Sequence, residues 1–89
     1  FANPKKLVYF HMETCGYCKK FNPEWDKFAS KYDGPLEIKK IERKEAGEDL
    51  QKYKIQGFPS ILLIDNEDNT KEFDGDRTVT GLEKFVSSY

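Results

Sequence analysis

The sequence has no long apolar run and no excess of charge of one sign. Fifteen basic and 16 acidic residues leave a formal net charge of −1, and they are spread along all 89 residues. A nucleic-acid surface needs a basic stripe, and a membrane span needs about 20 consecutive apolar residues; the chain has neither. Repeats and linkers are also missing. We therefore expect one soluble domain over residues 1–89 that acts as a monomer, with no nucleic-acid or membrane partner.

Cysteine and histidine are scarce. The two cysteines are Cys15 and Cys18, and the one histidine is His11. A structural zinc site needs about four such ligands, so we expect no metal. A purely structural disulfide is a weak explanation, because closing so short a loop removes little chain entropy. Two inert thiols or one redox pair remain, and the surrounding pattern favours the redox pair.

The two cysteines stand at the start of a predicted helix, directly after an apolar run. Residues three apart on a first helical turn share a face, so Cys15 and Cys18 can bridge without moving the backbone. Free amide groups and the helix dipole favour a thiolate there, and Cys-X-X-Cys motifs commonly titrate at roughly pH 7 or below. We expect Cys15 to attack from an exposed lip and Cys18 to be the buried resolving sulfur.

The spacing of apolar residues predicts alternating strands and helices. The predicted strands cover residues 6–12, 36–42, 60–64 and 70–73, the last a polar edge strand. Helices are predicted at 16–32, with a kink at Pro23, and at 48–53. A capping box from Thr80 to Glu83 opens a last helix, whose apolar face consists of Leu82, Phe85, Val86 and Tyr89. This order predicts an α/β fold with a mixed four-stranded sheet flanked by helices.

A second motif, Gly57-Phe58-Pro59-Ser60, precedes the third predicted strand. With the Cys-X-X-Cys motif, it makes nearly the whole chain resemble the thioredoxin superfamily, without that family's N-terminal strand and helix. The resemblance implies a cis proline at position 59 that packs against the cysteines. It also implies that the backbone at Phe58 and Ser60 pairs with an extended substrate peptide. A trans proline that only begins a strand is the alternative.

Two further stretches, residues 21–27 and 73–86, resemble the catalytic domains of protein disulfide isomerases. The resemblance implies that Gly16 and Tyr17 support the site between the two cysteines. Arg77 matches an arginine that can move toward the buried cysteine, where a guanidinium stabilises a thiolate. A solvated arginine is the alternative.

Several positions depart from the family pattern. Tyr17 stands where isomerases usually have histidine, so the couple should be less oxidising. The family's buried proton acceptor falls at Tyr9, and a phenol with a pKa near 10 is a poor base at pH 7. Lys40 matches the lysine that pairs with that acid, so we expect it to lack its partner or to be solvent-exposed. Water or Glu13 would then take the proton, and His11 is either a packed histidine or a titrating neighbour.

The resemblance implies a thiol–disulfide oxidoreductase that acts on protein disulfides. Cys15 attacks a substrate sulfur, and Cys18 then displaces the product. No cofactor is expected beyond the redox-active pair itself. The expected partners are proteins with disulfides or thiols, and a reductase or oxidase that renews the couple. The direction of electron flow stays open.

Two other functions stay open. A thioredoxin-fold docking module with vestigial cysteines would present Tyr17 and Phe58 to a partner. A glutathione-dependent, glutaredoxin-like reductase is disfavoured, because Gly75 is followed by Asp76 rather than by a second glycine. The compartment also stays open: the cytoplasm or, if Phe1 marks a processing site, the lumen of the endoplasmic reticulum.

Overall fold

The structure, a computed structural model, describes residues 3–89, so the processing site considered at Phe1 lies outside the described residues. Four strands form one sheet: β1 (Lys6–His11), β2 (Glu37–Glu42), β3 (Ser60–Ile64) and β4 (Thr70–Glu72). Their order is β2-β1-β3-β4. Strand β1 runs parallel to β2 and antiparallel to β3, and β4 is an antiparallel edge strand. The predicted mixed sheet is confirmed.

Helices cover both faces of this sheet. They are α1 (Gly16–Lys31), α2 (Arg43–Ala46), α3 (Asp49–Lys52) and α4 (Val79–Ser87). Of the helices within residues 3–89, none combines the length and apolar character that crossing a bilayer demands.

Strand β1 is buried on both sides and divides the core in two. Side chains alternate along a strand, so Leu7 and Tyr9 point to one face while Val8 and Phe10 point to the other. The first face packs on α1 and α4 through an aromatic-rich cluster of Phe21, Trp25, Phe28, Phe73 and Leu82. The second face packs on the residues around α2 and α3. A strand covered on both sides explains the unbroken apolar run in the sequence.

Two details of the helices differ from the sequence prediction. The sequence predicts no helix between residues 42 and 48, but residues Arg43–Ala46 form the short helix α2. Glu42 caps it by accepting a hydrogen bond from the Lys44 amide. Ala46 is the one buried residue of this helix, so the sequence shows no apolar periodicity that would predict it. The Glu42 cap stabilises the helix instead.

The start of α4 also differs. The predicted capping box from Thr80 to Glu83 is wrong, because Thr78 is the N-cap and its hydroxyl accepts the Gly81 N–H at 3.1 Å. The N-cap therefore lies two residues earlier than predicted, and the helix begins at Val79. Tyr89 lies beyond the helix end and is 42% exposed, and its ring packs edge-on against Phe85 at a centroid distance of 5.9 Å.

Helix α1 runs as one helix through Pro23. Proline has no N–H, so the carbonyl of Lys19 loses its usual helical partner. The predicted kink stays a prediction. The apolar positions of α1 recur at spacings of three and four residues and form one buried stripe, which consists of Cys18, Phe21, Trp25 and Phe28.

The close approach of α4 to the preceding loop gives a test of the fold. A Cβ at Gly81 would overlap the backbone carbonyl of Asp76, whereas a Cβ at Gly16 meets nothing within 4 Å. We expect Gly81→Ala to lower the free energy of unfolding by about 1–3 kcal/mol, because backbone atoms must shift. Gly16→Ala, the matched control, should stay within about 1 kcal/mol of wild type. Urea denaturation measures both, and equal effects would contradict the packing described.

Candidate active site

Cys15 is the N-cap residue of α1. Its sulfur accepts the backbone N–H of Cys18 at 3.1 Å, one of the amides left free at a helix start. Its own N–H donates to the carbonyl of Met12 at 3.0 Å, which fixes the turn between β1 and α1. The predicted exposed lip is wrong in degree, since Cys15 is only 8% exposed. Both cysteines are free thiols, and Cys18 is fully buried.

The loop before β3 lies against Cys15. The Phe58–Pro59 peptide bond is cis, as predicted. The Cys15 thiol donates to the carbonyl of Phe58 at 3.6 Å, although the two residues are 43 positions apart in sequence. Ser60 is buried, and its hydroxyl donates to the carbonyl of Gly57 at 2.6 Å, which closes the loop on itself. The fold thus brings the two sequence motifs together.

Cys18 lies below Cys15 in an apolar environment. Burial raises the pKa of its thiol, and the hydrogen bond with Cys15 raises it further. A backbone contact at Met12 and the hydroxyl of Tyr9 offset part of that rise. The two cysteines, three residues apart, therefore occupy different surroundings, and only Cys15 has any exposed surface.

Tyr9 reaches from β1 to the first turns of α1. Its hydroxyl donates to Asn22 Oδ1 at 2.8 Å and lies 3.3 Å from the carbonyl oxygen of Cys18. Burial raises the pKa of the Tyr9 phenol well above its usual range, and the nearby Cys18 adds to this. The phenol is therefore neutral at physiological pH. The sequence predicts that Tyr9 lies where the family has its buried proton acceptor, but it does not predict the hydrogen bond to Asn22.

Tyr17 and Arg77 form the outer edge of the site. Tyr17 is 68% exposed, and the Arg77 guanidinium lies over its ring at 5.7 Å from the centroid. Arg77 is itself exposed. This contact is a cation–π interaction at the surface, outside Cys18. The role expected for Arg77 at the buried sulfur stays a prediction.

Lys40 lacks the buried acid with which the family's lysine pairs, because Tyr9 stands at that position, and it pairs instead with Asp26. Its ammonium lies 3.8 Å from Asp26 on α1 and 6.0 Å from the centre of the Tyr9 ring. Its side chain is 32% exposed, so the ion pair is solvated and weak. Lys40 thus borders the site through Tyr9.

The other two candidates for proton chemistry lie at the margin. The Glu13 side chain is 72% exposed and pairs with Lys44 at 3.9 Å. His11 is partly buried, its ring is 5.4 Å from that of Tyr9, and burial followed by Lys40 lowers its pKa. That environment is typical of a packed, neutral histidine. Within residues 3–89, no group of three or more histidine, cysteine or acidic side chains is arranged to hold a metal ion.

Sequence reasoning missed Glu42. This buried carboxylate at the end of β2 accepts the Glu13 N–H at 3.1 Å as well as the Lys44 N–H. It therefore ties the segment before Cys15 to the start of α2. The hydrogen bond from Lys44 is the main cause that holds the pKa of Glu42 below its usual value. An acidic residue at the end of a half-polar strand was the only sign in the sequence.

The thioredoxin family model matches residues 2–88 of this chain. Protein disulfide isomerase-like 1-3 of Arabidopsis thaliana is 35% identical over 80 residues, which cover 90% of this chain and 14% of that protein. Human protein disulfide-isomerase A4 is 34% identical over 94 residues, covering 98% of this chain and 15% of that protein. The chain thus spans about a seventh of the length of each of these two relatives.

Solved structures agree. The first thioredoxin domain of mouse protein disulfide-isomerase A4 superposes with a TM-score of 0.78 at 30% identity, covering 92% of this chain and 60% of that one. The J-Trx1 fragment of ERdj5 gives a TM-score of 0.85, covering 96% of this chain and 41% of that one; at 22% identity it shows the fold alone. The chain belongs to the thioredoxin family. Within that family, it resembles the catalytic domains of protein disulfide isomerases.

The hydrogen bonds of the Glu42 carboxylate to the Glu13 and Lys44 amides can be tested by varying the pH. The folded-state pKa of Glu42 is depressed, so its contribution to stability is present above the unfolded-state pKa and is lost as pH falls through the folded-state value. We expect Glu42→Gln to lower the thermal midpoint at pH 7, and this difference from wild type to shrink below about pH 4.5.

Glu37→Gln is the matched control for that variant, because Glu37 lies on the same strand with its side chain 62% exposed and pairs with the exposed Lys39. Its midpoint should stay close to wild type across the range. A Glu42→Gln difference that persists unchanged at pH 2 would show that the carboxylate charge is not the cause.

Proposed function

We propose that the chain is a thiol–disulfide oxidoreductase that acts on protein disulfides, with Cys15 as nucleophile and Cys18 as resolving cysteine. The observation that carries this proposal is the position of the Cys15 sulfur. It lies at the start of a 16-residue helix, accepts the Cys18 N–H and faces the carbonyl of Phe58. A negative sulfur at that point is stabilised by a helix N-terminus, and a peptide backbone lies beside it.

In the first step, the Cys15 thiolate attacks one sulfur of a substrate disulfide. A bond forms between Cys15 and that sulfur, the substrate S–S bond breaks, and the departing sulfur takes the electron pair and then a proton. The Cys18 N–H that already points at the Cys15 sulfur stabilises the charge before attack. The proton of the Cys15 thiol passes to water, which reaches the sulfur at its small exposed surface.

The loop formed by Phe58, Pro59 and Ser60 would hold the substrate peptide. In the thiol state, the Phe58 carbonyl accepts the Cys15 S–H. A thiolate or a mixed disulfide has no such hydrogen, so the carbonyl becomes free to accept an N–H from an extended substrate strand. The side chain of Phe58 packs into the core, which leaves its backbone as the recognition element. Ser60 supports the loop through its bond to Gly57.

In the second step, Cys18 attacks the mixed disulfide. A Cys15–Cys18 bond forms, the bond from Cys15 to the substrate breaks, and the substrate sulfur leaves with the electron pair and gains a proton. The pair is then oxidised, and a thiol or dithiol reductant must renew it. Run in reverse, the same steps oxidise a substrate dithiol. Proteins with disulfides or thiols, and a reductase or oxidase, are therefore the proposed partners.

Two matched serine variants test this function. With a peptide disulfide as probe, we expect Cys18→Ser to accumulate a covalent complex through Cys15, because attack proceeds and resolution cannot. Cys15→Ser should form none and should lose turnover, although the chemical change is the same. Mass spectrometry after acid quench measures both. If wild type never turns over and Cys18→Ser traps nothing, the oxidoreductase proposal is wrong, and the exposed Tyr17 surface would instead favour a docking module.

The reduction potential of the pair then decides the direction of electron flow. A value near about −270 mV would make the domain a reductant like thioredoxin, and one near about −180 mV would make it an oxidant or isomerase. Because Tyr17 cannot offer a positive charge to the Cys15 sulfur, we expect a value in the reducing half of that range. Equilibration in glutathione buffers, read by thiol alkylation, measures it. A turnover that requires glutathione would instead favour a glutaredoxin-like reductase.

A further inference from the structure

The resolving step needs a proton acceptor for the Cys18 thiol. Cys18 must lose a proton as its sulfur attacks, yet it is fully buried and burial raises the pKa of its thiol. Across the described residues 3–89, no carboxylate is hydrogen-bonded to Cys18. The side chains next to its thiol are those of Cys15 and Tyr9. In a mixed disulfide, the Cys15 sulfur is the target of the attack, so Tyr9 is the side chain left beside the Cys18 thiol.

The hydrogen of the Tyr9 hydroxyl is already donated to Asn22. A phenol has one hydrogen, and the shorter of its two contacts, 2.8 Å, goes to Asn22 Oδ1 rather than to the carbonyl of Cys18 at 3.3 Å. Asn22 lies four residues after Cys18, on the same side of α1, so the phenol reaches both from β1. An amide oxygen is not a base at neutral pH. The pair Tyr9–Asn22 therefore fills the space beside Cys18 without offering a proton acceptor.

We propose that the Tyr9–Asn22 pair leaves Cys18 without a proton acceptor and makes resolution, rather than attack by Cys15, the slow step of the reaction. This inference rests on the proposed oxidoreductase function. Both residues act through Cys18 and are positioning residues. Its consequence is a long-lived mixed disulfide in the wild-type protein, so the domain would retain the attacked part of a substrate disulfide as a covalent complex before release.

A one-atom change at Asn22 tests this. Asn22→Asp keeps the size of the side chain and still accepts the Tyr9 hydroxyl, but it supplies a carboxylate. The phenol can then pass its proton to Asp while it accepts the proton of Cys18. General bases commonly accelerate such steps by about 10²–10⁴-fold, so we expect resolution to become at least about tenfold faster. Attack by Cys15 should change by less than about twofold, because no reacting atom of that step is touched.

The probe is a peptide disulfide with two halves of different mass. Attack releases the first half, and resolution releases the second, so rapid acid quench and mass spectrometry give the two rates separately. Asn66→Asp is the matched control, because it makes the same chemical change in the exposed turn after β3. It should leave both rates unchanged. The double variant Tyr9→Phe/Asn22→Asp should lose the gain, because the relay needs the hydroxyl.

The wild-type pH profile gives a test that needs no variant. The titratable groups facing Cys18 are Cys15 at its own helix start and Tyr9 from β1. Around Tyr9 lie His11, and Lys40 from β2 with its partner Asp26; Arg77 lies outside, over Tyr17. With no base among the nearest groups, the resolution rate should rise about tenfold per pH unit from pH 6 to 8, as the thiolate fraction of Cys18 does.

The outcomes are distinct. A wild-type mixed disulfide that resolves faster than it forms, or a resolution rate that is flat between pH 6 and 8, would overturn this inference while leaving the oxidoreductase proposal intact. So would a folded Asn22→Asp protein with an unchanged resolution rate. Failure of wild type to attack the probe at all would instead overturn the proposed function and this inference with it.

Discussion

The burial of β1 on both sides is the constraint on which the rest of the structure depends. Because neighbouring side chains of a strand point to opposite faces, Tyr9 must enter the cluster under α1 when Phe10 enters the cluster under α2 and α3. The end of β1 also fixes the turn at Met12, from which Cys15 begins the helix. A shift of the strand by one residue would reverse both faces and remove the phenol from beneath the cysteines.

The two cysteines differ chemically because of where they lie on one helix turn. Cys15 caps the helix and has a backbone N–H donor and a backbone carbonyl within reach of its sulfur. Cys18 has burial around it and a neutral phenol beside it. In a low-dielectric interior an ion is costly unless it is paired or hydrogen-bonded. The fold therefore gives the two sulfurs different environments, one at the helix N-terminus and one fully buried.

Several features of the site can be predicted from patterns in the sequence. The scarcity of cysteine directs attention to one pair, and the apolar stripe of α1 fixes which side of that pair is buried. The polar contacts were not predictable in the same way. The bonds from Tyr9 to Asn22 and from the Glu13 amide to Glu42 join residues 13 and 29 positions apart, and no local pattern encodes such distances. The mistaken capping box shows that local sequence is also ambiguous at a helix start. Thr78 and Thr80 are both suitable N-cap residues. The structure has Thr78 as the N-cap, with the helix packed closely against the preceding loop at Gly81.

The sequence by itself determined the periodicity of the elements, the thioredoxin-like order of strands and helices, and the position of the cysteine pair at a helix start. These depend on local spacing and on chain order, which are written in the residues. Only the tertiary structure decided that the Phe58 carbonyl faces Cys15, that Lys40 pairs with Asp26, and that Asn22 takes the hydrogen of Tyr9. The physical reason is that hydrogen bonds are short-ranged and directional, so their partners are settled only when packing brings distant side chains within about 3 Å of one another.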